Sequence, residues 1–265
     1  QTITQTLPNN MKQKIKQNIG MGYTFEVKDV SKNGDTLAKI TYTKITYSQE
    51  TPMAKFSYDS SERGKPVPPQ AIGFASLLNQ SFTILITSEG KVKDIQGVNK
   101  MLDDMVKTFK HVPAAQQKQL RANLEKSFGK ESLKKDIEKM MKIYPDKPVG
   151  IGDSWKISLN TTMGMKIFMD QTWTLKDRKE GIAIIDVDTK VWTDKNQPNQ
   201  MGGMLIKYDL KGEQKGFIKV DELSGWTTES KLKQTFSGNM IVQMGPKTMD
   251  IPMNIISDII IKPLK

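Results

Sequence analysis

Few residue types in this chain stand at spacings that could do chemistry. His111 is the only histidine. A Ser-His-Asp relay or a multi-histidine zinc site would need partners that the sequence does not supply, so a loop histidine beside Pro113 is the simpler reading. Carboxylates recur at Asp103-Asp104, at Asp186 with Asp188, and at Asp221-Glu222. Glycoside hydrolysis or Mg²⁺ binding needs two or more such groups converging in a cleft. Asp186 and Asp188 are two apart in a strand-like run and share a face, which reads first as the wet face of a half-exposed strand. No calcium loop and no phosphate-cradling Gly-rich loop is present. The chain has no cysteine, which excludes disulfides, thiolate metal ligands and cysteine nucleophiles. Lys28-Asp29 and Lys176-Asp177 look like a repeated motif but fall just before turns, where polar strand ends are expected. No catalytic, cofactor-binding or metal site is assigned from these residues, and no cofactor is expected.

Methionine is abundant, 16 of 265 residues, and clusters at Met163–Met165, at Met201–Met204, and through Met240, Met244, Met249 and Met253. Thioethers are soft ligands suited to Cu(I). They also fill cores flexibly and make adaptable apolar surface, and core filling is the favoured reading. The four tryptophans, Trp155, Trp173, Trp192 and Trp226, all lie in the second half and read first as core and sheet-edge packing.

The elements that must position these residues repeat. YTFEVKDVSKNGDTLAKITYTKI, from Tyr23 to Ile45, and QTWTLKDRKEGIAIIDVDTKV, from Gln171 to Val191, both read as strand, turn, strand. Period-two alternation in Ile19, Met21, Tyr23, Phe25 and Val27, and again in Ile167, Met169, Trp173 and Leu175, predicts one buried and one wet face. Asn33-Gly34 is a strong hairpin signal, because both residues tolerate positive φ. The order continues with MAKFSYD at Met53 and MLIKYD at Met204. Two further hairpins follow, FTILITSEGKVKDI turning at Gly90 and FIKVDELSGWTTES turning at Gly225. The strands before each opening hairpin also correspond, with turns at Pro8-Asn9-Asn10 and Thr162-Met163-Gly164. These matches favour duplication of a β-meander.

Between the halves the period changes to that of helices. Val98, Leu102, Met105 and Phe109 share one helical face. Pro113 opens a second helix through Leu120, Leu124 and Phe128, with Gly129 to close it. Leu133, Ile137, Met140 or Met141, and Tyr144 form a third stripe ended before Pro145. Glu131–Lys135 and Glu138–Lys142 are helix-supporting pairs. The expected fold is α+β and predominantly antiparallel: two related meanders, separate or joined as one curved sheet or open barrel, with a three-helix segment packed on it. The corresponding segments are 1–97, 98–148 and 149–265, read as one composite domain.

The length of 265 residues permits a sizeable core. The net charge of +11 raises nucleic acid or an anionic membrane as partners. The lysines are spread along the chain among acidic residues, so a nucleic-acid partner is not expected. No apolar run reaches the length of a transmembrane helix. The chain opens on Gln1 in strand-like alternation, so a processed N-terminus with an upstream signal or anchor is expected.

PDKPVGIGDSW, QNIGMGYTFEVKDVSKNGDTLAKITY, FSYDSSE and SFTILITSEGKVKDIQGVNKMLDDM, taken in these positions, resemble an uncharacterised family of exported proteins typical of Bacteroidota. That resemblance implies a signal peptide upstream, often a lipoprotein anchor, and a periplasmic or outer-membrane address. It implies no catalytic residues. The architecture also resembles the envelope lipoprotein carriers, whose unclosed β-barrels enclose helices and hold acyl chains, although fold alone does not fix function. The functional expectation is a non-enzymatic cell-envelope protein that binds an apolar, lipid-like ligand or a partner protein. A structural or accessory subunit of an outer-membrane complex is the alternative, and a carboxylate-dependent hydrolase ranks third.

Overall fold

The computed structural model describes residues 1–7, 10–62, 64–109, 113–141, 143–162, 165–201 and 204–263. In chain order the elements begin with β1 (Thr2–Thr6), β2 (Lys12–Val30), β3 (Thr36–Glu50) and β4 (Lys55–Asp59). A 3₁₀ turn (Pro69–Ala71), the short helix α1 (Ile72–Ala75), β5 (Ser81–Ile86) and β6 (Val92–Gln96) follow. Then come the helices α2 (Val98–Lys107), α3 (Ala114–Phe128) and α4 (Lys130–Met141). The second run of strands comprises β7 (Ser154–Thr162), β8 (Lys166–Lys179), β9 (Ile182–Thr193), β10 (Asn199–Met201), β11 (Met204–Asp221), β12 (Thr227–Met244) and β13 (Lys247–Ile261).

Hydrogen bonding joins the strands in the order β6-β5-β3-β2-β1-β13-β12-β11-β9-β8-β7, with β4 on β3 and β10 on β11. The order is open, ending at β6 and β7. The fold is thus α+β with a large, unclosed, predominantly antiparallel sheet. By contact density the chain forms two compact units. The first holds Gln1–Gln17, Glu50–Ala54 and Pro145–Lys265; the second holds Asn18–Gln49 and Lys55–Tyr144. The opening strand and the start of β2 therefore group with the C-terminal strands, and the helical segment groups with the rest of β2 and with β3 to β6.

The two runs of strands repeat a neighbour order. β1, β2 and β3 succeed one another, as do β7, β8 and β9. β9 then pairs with the single 18-residue strand β11. β3 instead has two shorter partners: β5 along Thr36–Thr41 and β4 toward its far end, where the Ser60 amide donates to the Ile45 carbonyl. Residues 60–80, with their 3₁₀ turn and α1, interrupt in the first run what is one strand in the second. The turns differ as well. SKNGD closes a wide loop in which Gly34 takes φ +80°, and Glu180-Gly181 makes a two-residue turn with φ of +53° and +75°. That geometry matches the right-handed twist of the flanking strands. Pro8, Asn9, Met163 and Gly164 of the two earlier turns lie outside the described residues.

In the second unit α2 buries Val98, Met101, Leu102 and Met105. It packs on β5, while α4 packs on β6. Phe82, Ile84 and Ile86 supply the facing side of β5. Pro113 is the N-cap of α3 and Gly129 its C-cap, so two helices follow one another with a single residue between them. Lys130 Nζ bonds Asp94 Oδ1 at 2.6 Å, and Glu138 Oε1 accepts from the Val92 amide at 3.0 Å, fastening α4 to β6. Lys142, expected to pair with Glu138, lies outside the described residues, as does His111.

In the first unit the buried residues alternate along every long strand. Ala183, Ile185, Val187, Thr189, Val191 and Thr193 all face one way on β9. Ile167, Val191, Leu210, Phe236, Met253 and Ile255 form one packed cluster on that face. Burying this many β-branched and aromatic side chains is the main force holding the strands in register, since a one-residue slip would turn each of them to water.

Candidate functional site

The acidic residues with catalytic spacing are not brought together. Asp186 and Asp188 lie on the exposed face of β9, with Lys176 at 3.9 Å and Lys215 at 4.0 Å respectively. Asp104 is held by Lys100 and Lys107, which lower its pKa to about 2, and Asp103 pairs with Arg121 at 2.9 Å. Asp221 folds back on the Ser224 hydroxyl and amide, while Glu222 pairs with Arg178 at 2.8 Å. Among the described residues, no group of three or more His, Asp or Glu side chains could hold a metal ion. No helix of the described residues is long and apolar enough to cross a membrane.

Three of the tryptophans, Trp155, Trp173 and Trp192, stack on rings across strands. The rings of Trp155 and Trp173 stack at 6.4 Å, and those of Trp192 and Phe168 at 5.8 Å. Trp173 is buried, and its Nε1 donates to Gln171 Oε1 at 3.3 Å. Gln171 opens an arrangement that the spacing of the sequence does not announce. It lies opposite Thr189, Thr189 opposite Gln214, Gln214 opposite Gln234, and Gln234 opposite Ser257. The Ser257 hydroxyl donates to Gln1 Oε1 at 3.5 Å, and Gln1 Nε2 donates to Gln17 Oε1 at 3.3 Å. A row of uncharged amides and hydroxyls thus crosses seven strands on the face that also carries the apolar core. Thr189 is fully buried, and its Oγ1 has no hydrogen-bond partner among the described residues; the same holds for Ser230 Oγ. The signal in the sequence was a polar residue at an inward position, as in Ile167, Met169, Gln171, Trp173, Leu175.

The second unit departs most from the sequence expectation. The alternating row of β2 was expected to be buried. Ile19, Met21, Tyr23 and Val27 are instead exposed by 43%, 50%, 51% and 52%, and only Phe25 of the row is half-buried. Alternation assigns residues to one face of a strand but does not say that anything covers that face. α2 packs on β5 and α4 on β6, while these four side chains of β2 stay half exposed. The matching row of β8 is different: Ile167, Trp173 and Leu175 are buried. Beside the β2 row is a shallow hollow of about 430 Å³ whose lining includes Asn18, Gly20, Thr46, Ser48, Ser57 and Asp59. A Cβ on Gly20 would come within 2.3 Å of Thr46 Oγ1, so the missing side chain makes room for that hydroxyl. Asp59 is kept below the usual carboxylate range by the Ser61 hydroxyl and amide, with Lys44 adding to the effect.

Fold and surface together define a mainly antiparallel α+β protein with a polar row, buried at Gln171, Thr189 and Gln214, in one unit and an open apolar row in the other. Residues 33–227 match a family of unknown function, DUF6263, and the chain belongs to that family. The match begins at the turn between β2 and β3 and ends where β12 starts. A comparison with curated proteins returns no match.

Proposed function

We propose that this is a non-enzymatic protein of the cell envelope that binds an apolar, lipid-like ligand along β2. The observation that carries the reading is the row Ile19, Met21, Tyr23 and Val27, four large apolar side chains half exposed on one face of one strand. Exposed apolar side chains grouped in this way mark interaction surfaces, whereas scattered ones need no explanation. Met21 and Tyr23 suit such a role, one by its flexibility and the other by a large ring with a polar end. The envelope address, with a signal peptide removed, is part of the proposal and follows from the resemblance to exported proteins.

The test is native mass spectrometry of protein isolated from its own host, beside the double variant Met21→Glu, Tyr23→Glu. A co-purifying apolar adduct on the natural protein, absent from a variant with an unchanged circular dichroism spectrum, supports the reading. No adduct, or the same adduct on both, overturns it.

A second reading, a subunit or accessory of an outer-membrane complex, draws on the end of β13. There Ile256, Ile259, Ile260 and Ile261 are all exposed. A photo-crosslinker at Ile260 would capture one recurrent membrane-protein partner in cells if this reading holds, and none if it does not.

A further inference from the structure

We infer that the β12–β13 hairpin carries a thioether site for a soft monovalent cation, Cu(I) or its analogue Ag(I). The inference stands apart from the apolar-ligand reading and uses residues of the other unit. Pairing in this hairpin sets Val242 opposite Met249, Met240 opposite Ile251, and Gly238 opposite Met253; Met244 lies opposite Lys247 at the turn. Directly paired residues point to the same side of a sheet, so Met240, Met244, Met249 and Met253 share the face that also buries Phe236 and Ile255. On that face Met240 is the diagonal neighbour of both Met249 and Met253, and Met249 is the diagonal neighbour of Met244. Diagonal Cβ atoms lie about 7 Å apart, within reach of two long side chains converging on one ion.

The four methionines grade from core to solvent. Met253 is buried and Met240 packs against the core cluster, while Met249 and Met244 are exposed by 36% and 51%. A cation could therefore enter from solvent and meet sulfurs held by packing. Core filling does not account for the choice of residue. β13 uses isoleucine at 251, 255, 256, 259, 260 and 261, and β-branched residues suit strands better than methionine does. Gly238, opposite Met253, leaves that thioether without a side chain across from it. Uncharged thioethers select Cu(I) over Zn²⁺ or Mg²⁺, which prefer imidazole, thiolate or oxygen donors. The ion binds as Cu(I) and leaves as Cu(I), so no electron changes hands.

Leucine separates sulfur from greasiness, because Met→Leu keeps apolar volume and removes the donor. The full protein, labelled at methionine methyl groups, is titrated without oxygen with Ag(I) and with Cu(I) against a competing chelator. One equivalent should bind and shift the methyl signals of Met240, Met249 and at least one of Met244 and Met253, leaving Met101 and Met105 of α2 in place. Met240→Leu with Met249→Leu should lower affinity roughly 100-fold or more, as loss of first-sphere donors should exceed the loss seen for outer partners. No binding, equal shifts at all methionines, or undiminished affinity in the folded leucine variant overturns the inference. The methyl spectrum of the natural protein decides the matter even if that variant does not fold.

Discussion

Thr189 and Thr193 sit four residues apart on the buried face of β9, and the structure predicts opposite effects for the same substitution. The Thr189 hydroxyl is fully buried and has no partner among the described residues. Thr193 Oγ1 donates to the Tyr208 carbonyl at 2.7 Å and accepts from the Leu210 amide at 2.9 Å. The β9–β11 ladder stops at Trp192 opposite Lys211, so Thr193 supplies by side chain the bond that backbone would have made next. Replacing threonine by valine keeps the shape and removes the hydroxyl. At Thr189 this relieves the cost of an unpartnered buried hydroxyl, so stability should rise by about 1 kcal/mol. At Thr193 it strands a buried amide and a carbonyl, so stability should fall by about 2 kcal/mol. The two variants should then differ by about 3 kcal/mol, or roughly 6–12 °C in melting temperature for a chain of this size. Thermal melts by circular dichroism, with urea unfolding as a second measure, read the difference directly. Equal destabilisation by both variants would refute the reasoning, because it would mean that the Thr189 hydroxyl is satisfied, for instance by an internal water.

Further expectations follow from other contacts. Asp94 in β6 is held at a pKa of about 2, chiefly by Lys130 of α4 and then by Gln96. Its folded value lies below the unfolded one near 3.8, so its contribution is complete above about pH 4 and vanishes as pH falls through about 2. Hydrogen-exchange protection in α4, corrected for the intrinsic pH dependence of amide exchange, should fall across that window in the natural protein, and Lys130→Ala should flatten the change. A Cβ on Gly212 would lie 1.7 Å from the Thr235 carbonyl oxygen, so Gly212→Ala must push β11 and β12 apart. A loss of about 3 kcal/mol or insoluble expression is expected, and a normal melting curve would contradict the packing. Asp186→Ala with Asp188→Ala should change stability by less than about 0.5 kcal/mol per site, since both carboxylates are exposed with only distant lysines. Loss of any measured turnover in that variant would revive the hydrolase reading.

What could be read from the sequence divides along physical lines. Helix limits were legible because Pro113 and Gly129 act locally, one through a missing N–H and the other through a missing Cβ that would lie 2.3 Å from the Glu125 carbonyl oxygen. The hairpins at Asn33-Gly34, Gly90 and Gly225 were legible for the same reason. The exposure of Ile19, Met21, Tyr23 and Val27 was not, because burial depends on what covers a face and α2 to α4 lie elsewhere in sequence. Nor could the polar row from Gln171 to Gln17 be seen, since its members come from seven strands that meet only through register. The methionines show the same limit: Met240 and Met253 look unrelated at 13 residues apart until the hairpin sets them on one face. The interruption at residues 60–80 did leave a mark in Pro66, Pro68 and Pro69, which cannot continue a strand's hydrogen bonding.

The central claim is that the β2 row is a binding face. Its most direct test is the methyl spectrum of Met21 during titration with 1-monoolein below its aggregation threshold. The account predicts a saturable shift at Met21, with Met101 and Met105 in the buried face of α2 unmoved. An unchanged Met21 signal, or shifts of all three together, would contradict it.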